Sequence, residues 1–326
     1  MRRVPVFYDP EVLRHDTGPY HPETARRLEA ATSALRSAHA VLGAPPSPER
    51  TLSAIARVHE EGYVRRFLEA CRAAPPGVEE AFSLFDSPDN PISVSSFEAA
   101  LRATGLALAA ADVVIAGRAD SVFVAARPPG HHALADAAMG FCFFNNAAVV
   151  ARDLIVTHGL SRVLVADFDV HHGNGTQHLF WEDGRVAYVS VHRFPFYPGT
   201  GAADETGSGA GRGTTANVPL PAGSGDAAYA GGFVGALEHL ADRFRPEFVV
   251  VSAGFDAHER DPLGGMRVST EGFAWMTRAL LEVAETHAKG RLVSLLEGGY
   301  DADALGASVV QHHRGLQDES GVGWRR

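Results

Sequence analysis

The chain has 326 residues, of which 45% are hydrophobic and 21% charged, so a disordered or low-complexity protein is excluded. Aspartate and glutamate number 39 against 29 lysines and arginines, which gives a formal net charge of −10 and makes nucleic acid an unexpected partner. The N-terminal residues lack the apolar run of a signal peptide, and no segment reaches the ~20 apolar residues that span a bilayer, so no membrane contact is expected. Two cysteines, Cys71 and Cys142, are too few for a disulfide framework and fit a reducing compartment, so we expect a cytoplasmic protein.

Short apolar runs alternate with longer amphipathic segments along the chain. In chain order the pattern predicts a strand at residues 122–124, a helix at 145–158, strands at 163–165 and 186–191, a helix at 226–243, a strand at 248–251, a helix at 270–288 and a strand at 292–296. Asp226 and Thr270 are the expected N-caps of the second and third helices. Apolar strands separated by helices indicate a parallel sheet covered on both faces, so the predicted architecture is a three-layer α/β/α sandwich. No repeat or linker divides the chain, and residues 1–326 are predicted to form a single domain.

A polar cluster follows each of four predicted strands. The clusters are residues 127–132, 167–173, 254–256 and 297–300. Because ligands bind at the carboxyl ends of the strands in open parallel sheets, these clusters are expected to converge in one crevice. This convergence is the main sequence evidence for a functional site.

Three side chains in these clusters form a candidate metal site. Asp169 and His171 are two residues apart, so on an extended segment their side chains point the same way. Asp256 adds a carboxylate from another strand end, and three ligands leave a coordination position open for water or substrate. Zinc suits such a set of nitrogen and oxygen donors, and Fe(II) is its competitor. The metal would lower the pKa of a bound water and polarise a carbonyl group.

Four further side chains are candidates for acid–base chemistry and charge stabilisation. His131 and His132 belong to the same crevice, where an imidazole can take a proton from the attacking water and return it to a leaving amine. Asp167 is an orienting partner for one of the two histidines. Tyr300 ends a Gly-Gly turn and could donate its hydroxyl to a developing oxyanion.

The same segments resemble those of a known family. They are Arg-Pro-Pro-Gly-His-His at residues 127–132, Gly-Phe-Cys-Phe-Phe-Asn-Asn at 140–146, Asp-Phe-Asp-Val-His-His-Gly-Asn-Gly-Thr at 167–176, residues 252–256 and Glu-Gly-Gly-Tyr at 297–300. Together they resemble the signature segments of the zinc-dependent histone deacetylase family, in its class II-like bacterial branch. The resemblance implies an arginase-like α/β fold with a parallel sheet of eight strands, and an enzyme that removes acyl groups from lysine side chains, polyamines or other amines.

The resemblance also implies a role for each site residue. The implied zinc ligands are Asp169, His171 and Asp256. His132 would be the general base and acid, and His131 its electrostatic partner beside Asp167. Asn174 stands behind the second histidine, where many members of the family have an aspartate, so this histidine should be less biased toward its charged form. Tyr300 would bind the scissile carbonyl.

A second group of residues is implied to surround the substrate and a structural cation. Phe141 and Tyr197 would form the walls of an acyl-chain tunnel, and the carbonyl of Gly140 would accept from the substrate amide. Tyr197 stands where phenylalanine is common, which leaves the acyl preference open. A monovalent cation, usually potassium, would be held by Asp167 and by the main chain of Asp169, His171, Ser190 and Val191.

The substrate expected from the sequence is a peptide or small molecule that carries an acyl-lysine-like or small acylated amine group. An acetylpolyamine amidohydrolase is the alternative, but Leu263 is apolar where the polyamine-selective relative has an acidic residue. Glu259 and Asp261 are the nearby carboxylates that could compensate.

Other readings of the sequence have less support. A two-manganese ureohydrolase of the same fold needs carboxylates at positions that Gly173 and His258 occupy here. A catalytically silent acyl-binding scaffold would have lost one of the metal ligands or Tyr300, and all are present. The sequence leaves open whether the chain forms a homo-oligomer.

Overall fold

The computed structural model describes residues 2–75 and 83–318. Its strands are β1 (Val6–Phe7), β2 (Leu42–Gly43), β3 (Ser83–Phe85), β4 (Ser87–Ile92), β5 (Ser121–Val124), β6 (Val163–Asp167), β7 (Val186–Arg193), β8 (Thr215–Leu220), β9 (Phe248–Ala253) and β10 (Leu292–Leu296). Eight of them form one sheet in the order β2-β1-β5-β10-β9-β6-β7-β8, and every neighbouring pair is parallel. The remaining two, β3 and β4, form an antiparallel hairpin.

Helices cover both faces of this sheet. They are α1 (Ala25–Ser37), α2 (Thr51–Ile55), α3 (Glu61–Ala73), α4 (Ser96–Ile115), α5 (Asn146–Val156), α6 (Asn174–Phe180), α7 (Asp226–Tyr229), α8 (Gly235–Phe244), α9 (Thr270–His287) and α10 (Ala302–Leu316). Helices α4 and α5 pack together on β5, β6, β9 and β10, whereas α8 and α9 pack on β7 and β9, with α10 and α1 extending this second layer. The predicted α/β/α sandwich is therefore confirmed.

The structure corrects the predicted N-caps of two helices. Ser269 caps α9, because its side chain accepts a hydrogen bond from Gly272 N, and Thr270 is the first residue inside the helix. Helix α7 begins after Gly225. The carboxylate of Asp226 instead accepts hydrogen bonds from the backbone N–H (2.9 Å) and the hydroxyl (2.6 Å) of Ser269. Asp226 thus joins the starts of two helices, a contact between distant segments that local spacing does not predict.

The predicted helix at residues 226–243 is divided in the structure. Helices α7 and α8 are separated by a π-helical turn, Ala230–Val234, that contains two adjacent glycines. A Cβ at Gly232 would lie 2.7 Å from Val218 Cγ1, so the turn packs too closely on β8 for a larger residue. The amphipathic spacing of residues 226–243 predicted the combined span of α7 and α8 but not the π-helical turn between them.

Five strands were absent from the prediction. Strands β1 and β2 have two residues each, which is too short for a pattern of hydrophobicity to be visible. Strand β8 lies at the edge of the sheet and contains Asn217 and Pro219, residues that disfavour a strand assignment. The β3–β4 hairpin lies outside the sheet altogether.

The topology brings four strand ends together. Strands β5, β10, β9 and β6 are consecutive neighbours in the sheet, and each is followed by one of the four polar clusters of the sequence. Strands β6 and β9 are buried along their whole length, which gives this part of the sheet a rigid base. Within the described residues, no helix combines the length and hydropathy that a membrane crossing requires.

Candidate active site and metal centre

A cavity of about 130 Å³ opens at the carboxyl ends of these four strands. It is lined by Asp89, Pro129, His131, His132, Gly140, Phe141, His171, Tyr197, Leu263, Gly298 and Tyr300. All four residues predicted to contact substrate (Gly140, Phe141, Tyr197 and Leu263) are among them, together with both histidines of the predicted pair. Pro129 and Gly298 belong to the predicted clusters, whereas Asp89 was not predicted.

The three predicted metal ligands lie together, and one of them, His171, lines this cavity. Ligand atoms of Asp169, His171 and Asp256 are all within 4.8 Å of one another. His171 Nδ1 is 3.0 Å from Asp169 Oδ1 and 3.1 Å from Asp256 Oδ2, so this ring nitrogen faces both carboxylates. Two carboxylate oxygens and one imidazole nitrogen in such proximity suit a divalent metal of the zinc or iron class.

The backbone around the carboxylates is built from glycines because larger residues would not fit. A Cβ at Gly254 would lie 2.0 Å from Asp169 Oδ2, and a Cβ at Gly298 would lie 2.1 Å from Asp256 Oδ2. The N–H of Gly298 also donates to Asp169 Oδ2 (2.8 Å), which holds that carboxylate in place. These contacts orient the ligand oxygens before any metal binds.

Each histidine of the pair has its own partner behind it. His131 Nδ1 is 3.0 Å from Asp167 Oδ2, and His132 Nδ1 is 2.7 Å from Asn174 Oδ1. Because an amide oxygen only accepts, His132 carries a proton on Nδ1 and keeps Nε2 free to act as a base. The two rings lie 4.1 Å apart, so they interact directly.

The two imidazoles have opposite electrostatic environments. Burial lowers the pKa of His132 well below its usual range, and the neighbouring His131 and His171 lower it further. Burial also lowers the pKa of His131, but attraction to Asp167 and Asp169 outweighs this effect and raises the pKa to about 10. The pair therefore combines a charged His131 with a neutral His132.

Tyr300 is held at the cavity by its backbone and its ring. Its N–H donates to Asp261 Oδ2 (2.7 Å), the guanidinium of Arg27 lies 5.1 Å from the ring centroid, and the Phe141 ring lies 5.9 Å away. Burial raises the pKa of the Tyr300 hydroxyl well above its usual value. The hydroxyl is therefore protonated at neutral pH and available as a hydrogen-bond donor.

The β3–β4 hairpin holds one wall of the cavity through three hydrogen bonds that were not predicted. Phe141 has a φ of 68°, a left-handed conformation that is unfavourable for a bulky residue, so its backbone must be held by neighbours. The bonds run from Ala138 N to Asp86 Oδ2 (3.0 Å), from Gly140 N to Asp89 Oδ2 (3.2 Å) and from Phe141 N to Asn90 Oδ1 (2.7 Å). The sequence shows Asp86, Asp89 and Asn90 only as polar residues in an unassigned segment.

Tyr197 joins this wall to the other side of the cavity. Its ring centroid lies 5.2 Å from that of His132, and its hydroxyl donates to Asp89 Oδ2 (3.2 Å). The hydroxyl that distinguishes this tyrosine from the phenylalanine common at the position therefore has a partner among the lining residues of the cavity. Leu263 contributes an apolar side chain to the same lining.

Glu297 is a buried residue whose role sequence reasoning missed. Its carboxylate accepts from Gly130 N (2.6 Å) and from the hydroxyl of Ser252 (3.0 Å). Burial raises its pKa to about 7. Glu297 begins the Glu-Gly-Gly-Tyr segment, so the motif itself was the available signal. Its contacts tie the end of β9 to the turn that carries the two histidines.

The residues predicted to hold a monovalent cation come from the end of β6 and from the middle of the neighbouring strand β7. Asp167 of β6 is the register partner of Ser190 of β7, and Val191 follows Ser190. Asp167 Oδ1 accepts from Asp169 N (3.1 Å), and Ser190 Oγ is 2.9 Å from His192 Nδ1. No contact of the described residues tests whether potassium binds there, and the site stays a prediction.

Another group of metal-type side chains is saturated by arginines. Asp112, Asp153 and His158 have ligand atoms within 4.8 Å of one another, but Arg50 Nη2 lies 2.6 Å from Asp112 and 2.8 Å from Asp153. Arg57 adds a second guanidinium at 3.1 Å from Asp153. This cluster is an ion-pair network between helices and not a metal centre.

The positions that a second metal would need are also closed. A Cβ at Gly173 would lie 2.3 Å from Asp167 Oδ2, so no carboxylate side chain fits there. His258 Nε2 is hydrogen-bonded to Thr270 Oγ1 at 3.0 Å. The two extra carboxylates that a two-manganese ureohydrolase needs are therefore missing at residues 173 and 258.

Comparison with known proteins agrees with the fold and the site. The profile of the Histone deacetylase domain matches residues 21–316. The chain belongs to the histone deacetylase family. Family membership indicates a hydrolase that acts on acyl amides, and it confirms the family predicted from the signature segments.

Relatives within the histone deacetylase family align over most of the chain. A probable deacetylase of Archaeoglobus fulgidus is 39% identical over 304 residues, which cover 91% of this chain and 81% of that protein. The histone deacetylase-like amidohydrolase of Pseudomonas aeruginosa is 38% identical over 344 residues, covering 97% and 87% respectively. The crystal structure of the HDA15 HD domain superposes with a TM-score of 0.88 at 35% identity, covering 98% of this chain and 90% of that one.

Proposed function

We propose that the protein is a zinc-dependent amidohydrolase that removes an acetyl-type group from an acyl-lysine-like or small acylated amine. One observation carries the proposal: the histidine pair, Tyr300 and His171 line a single cavity, and His171 lies beside the carboxylates of Asp169 and Asp256. Family membership supports amide hydrolysis as the reaction class.

The donor set of the cavity fits a zinc ion. Asp169, His171 and Asp256 would hold it, and the N–H of Gly298, which donates to Asp169 Oδ2 at 2.8 Å, keeps that carboxylate in position. Zinc at this position would act as a Lewis acid that polarises the scissile carbonyl and acidifies the attacking water. Fe(II) is the alternative metal for the same ligands. Potassium behind Asp167 is a further part of the proposal.

The chain's own residues supply the proton transfers. His132 Nε2 takes a proton from the attacking water as the new C–O bond forms, and Tyr300 donates its hydroxyl to the carbonyl oxygen that becomes negative. The proton on His132 then passes to the amine nitrogen as the C–N bond breaks, which leaves a carboxylate and a free amine. His131 stays charged beside Asp167 and stabilises the negative charge of the intermediate.

The shape of the cavity supports a slender acyl amine as substrate. Its volume is only about 130 Å³, and aromatic rings of Phe141, Tyr197 and Tyr300 contribute to its lining. Such a cavity suits an unbranched methylene chain with a small acyl group. Leu263 supports an acyl-lysine-like substrate over a polyamine, because an apolar side chain does not attract a second ammonium.

An acetylated polyamine is the second candidate substrate. Asp89 lines the cavity, and its side-chain partners are Gly140 N, the Tyr197 hydroxyl and the Ser87 hydroxyl. It forms no ion pair with another described residue, so its negative charge is free to attract an ammonium group of a substrate.

The zinc-loaded protein should be tested on an acetyl-lysine peptide, an acetylated polyamine, trifluoroacetyl-lysine and a simple aryl amide. We expect the lysine substrates to be hydrolysed fastest, and His132→Ala to lower that turnover by about 10²-fold or more. A preference for the polyamine would select the second candidate. If the folded, metal-loaded protein hydrolyses none of the four substrates, a catalytically silent acyl-binding scaffold would be favoured instead.

A further inference from the structure

A second cavity, here called the side cavity, lies behind the histidine pair. Its volume is about 410 Å³, and it shares no lining residue with the catalytic cavity. Asn174 connects the two cavities, because it lines the side cavity and its amide oxygen contacts His132 Nδ1 in the catalytic one. Nothing in the proposed hydrolysis uses the side cavity.

Glu205 supplies a negative charge to the side cavity. Its carboxylate accepts from Gln177 Nε2 (2.6 Å) and from the backbone N–H groups of Gly201 and Ala202 (3.1 Å each). Burial raises the pKa of Glu205, but these hydrogen bonds outweigh it and the pKa is lowered. Glu205 makes no ion pair with a cationic side chain of the described residues, so its charge is not neutralised by the chain.

The amide of Gln177 sets the hydrogen-bond direction of its neighbours. Since Nε2 donates to the carboxylate, Oε1 must accept, and His172 Nε2 (3.0 Å) is one of its donors. His172 Nδ1 in turn lies 2.7 Å from the hydroxyl oxygen of Thr200. The exposed Thr200 lines the side cavity, where its hydroxyl oxygen can accept a hydrogen bond from a ligand.

Asn217 adds an acceptor behind the same lining. Its Nδ2 donates to Gln177 Oε1 (2.7 Å) and to the carbonyl of Glu205 (3.2 Å), which determines the orientation of the amide. Its Oδ1 is buried and has no hydrogen-bond partner among the described residues. Asn217 does not line the side cavity, so its part in the site is to orient Gln177 from behind the lining.

We infer that the side cavity binds an alkylammonium ion. An ammonium group carries three N–H donors and a positive charge, which match the Glu205 carboxylate and the acceptor lone pairs of Thr200. The indole of Trp181 and the side chain of Leu134 line the same cavity and can cover the alkyl part, with Trp181 also able to face the cation. Anionic ligands are excluded by the charge of Glu205.

The test is calorimetric titration of the full chain with n-butylammonium chloride. We expect the wild-type protein to bind the amine. Glu205→Gln should raise the dissociation constant by about tenfold or more, whereas the control Asp204→Asn should change it by less than about twofold. Asp204 is the exposed neighbouring acid in the same loop and lines neither cavity. Amine bound in the catalytic cavity would be the same in both variants, so their difference reports the side cavity alone.

Two results would overturn the inference. One is that the folded Glu205→Gln variant binds the amine as tightly as the wild-type protein. The other is that the wild-type protein binds 1-butanol, which lacks the charge, as tightly as it binds the amine. If Glu205→Gln fails to fold, as judged by circular dichroism, Trp181→Leu replaces it, and unchanged affinity in that variant contradicts the site. The readout is binding, so its outcome is independent of whether the protein hydrolyses amides.

Discussion

His132 and Tyr300 owe their positions to polar partners that do not line the catalytic cavity. Asn174 accepts from His132 Nδ1, and Asp261 accepts from the backbone of Tyr300. Arg27 lies against the Tyr300 ring and also donates to the carbonyl of Gly299 (2.8 Å). At the scale of single residues, the site is therefore a small set of reactive groups inside a larger set of orienting ones.

Tyr300→Phe should lower kcat by about 10²-fold with little change in KM, because the lost hydroxyl acts mainly on charge that develops in the transition state. Steady-state kinetics on the best substrate of the panel measures this. The control is Tyr63→Phe, which removes a buried hydroxyl that donates to the carbonyl of Phe143 away from the ligands. Unchanged kcat in Tyr300→Phe would show that this hydroxyl has no role in turnover.

Asp256→Ala should abolish stoichiometric binding of the divalent metal, because one of three ligands is lost and the remaining carboxylate lacks its partner. Elemental analysis of the purified protein gives the metal content directly. Asp112→Asn is the matched control, since that carboxylate belongs to the arginine-filled cluster and should leave the metal content unchanged. Full occupancy in Asp256→Ala would remove Asp256 from the ligand set.

At the scale of elements, the β3–β4 hairpin is the least expected part of the site. It lies outside the central sheet, yet three of its side chains accept from the backbone of the cavity wall. The wall needs this support because Phe141 adopts a left-handed conformation. The sheet thus positions the metal ligands, whereas the hairpin positions one wall of the substrate cavity.

Asn90→Ala should raise KM and lower kcat/KM by about tenfold, because the unsupported Phe141 backbone can leave its productive position. The free energy of unfolding should fall by about 1–3 kcal/mol, since a buried N–H loses its acceptor. Kinetics and urea unfolding measure the two effects. Leu84→Ala in the same hairpin, at an exposed position, should change neither, and an equal loss in both variants would refute a specific role for Asn90.

At the scale of the whole molecule, a buried charge network joins segments that are far apart in the chain. The carboxylate of Glu23 accepts hydrogen bonds from two arginines. One is Arg127, which follows β5, and the other is Arg27 of α1, whose Nη1 lies 3.0 Å from Glu23 Oε1. Arg27 also donates to the carbonyl of Glu297 at the end of β10. Removing one member would leave buried charges unpaired, so the network connects the N-terminal segment to the base of the site.

Stability should depend on pH through Glu23. Burial raises the pKa of this carboxyl, but the charge of Arg127 outweighs burial and lowers the pKa to about 2, below the usual 4.5. A depressed pKa in the folded state contributes stability that is complete above pH 4.5 and is lost as the pH falls toward 2. The difference in unfolding free energy between wild type and Glu23→Gln, from urea titrations, should therefore shrink across this range. A constant difference would contradict the assignment.

Part of the site was predictable because its residues sit at fixed offsets from recognisable strands. Asp169, His171, Asp256 and Tyr300 all follow apolar runs, and parallel strands place their carboxyl ends on one edge. Asp89 and Asn90 were not predictable in this way, because their segment has no periodic pattern and reaches the cavity only through tertiary contacts. The single-domain organisation, the cytoplasmic location and the roles of the site residues stay predictions.

The amino-acid sequence alone determined the α/β/α architecture, the family and the side chains that gather at the strand ends, because hydrophobic periodicity and short motifs are local properties. Only the tertiary structure decided which side chains support them. Asn174 behind His132, the hairpin behind Phe141 and the acceptors around the side cavity each depend on contacts between distant segments. A hydrogen bond needs its donor and acceptor within about 3 Å of each other, and for residues far apart in the chain only the folded structure determines whether they come that close.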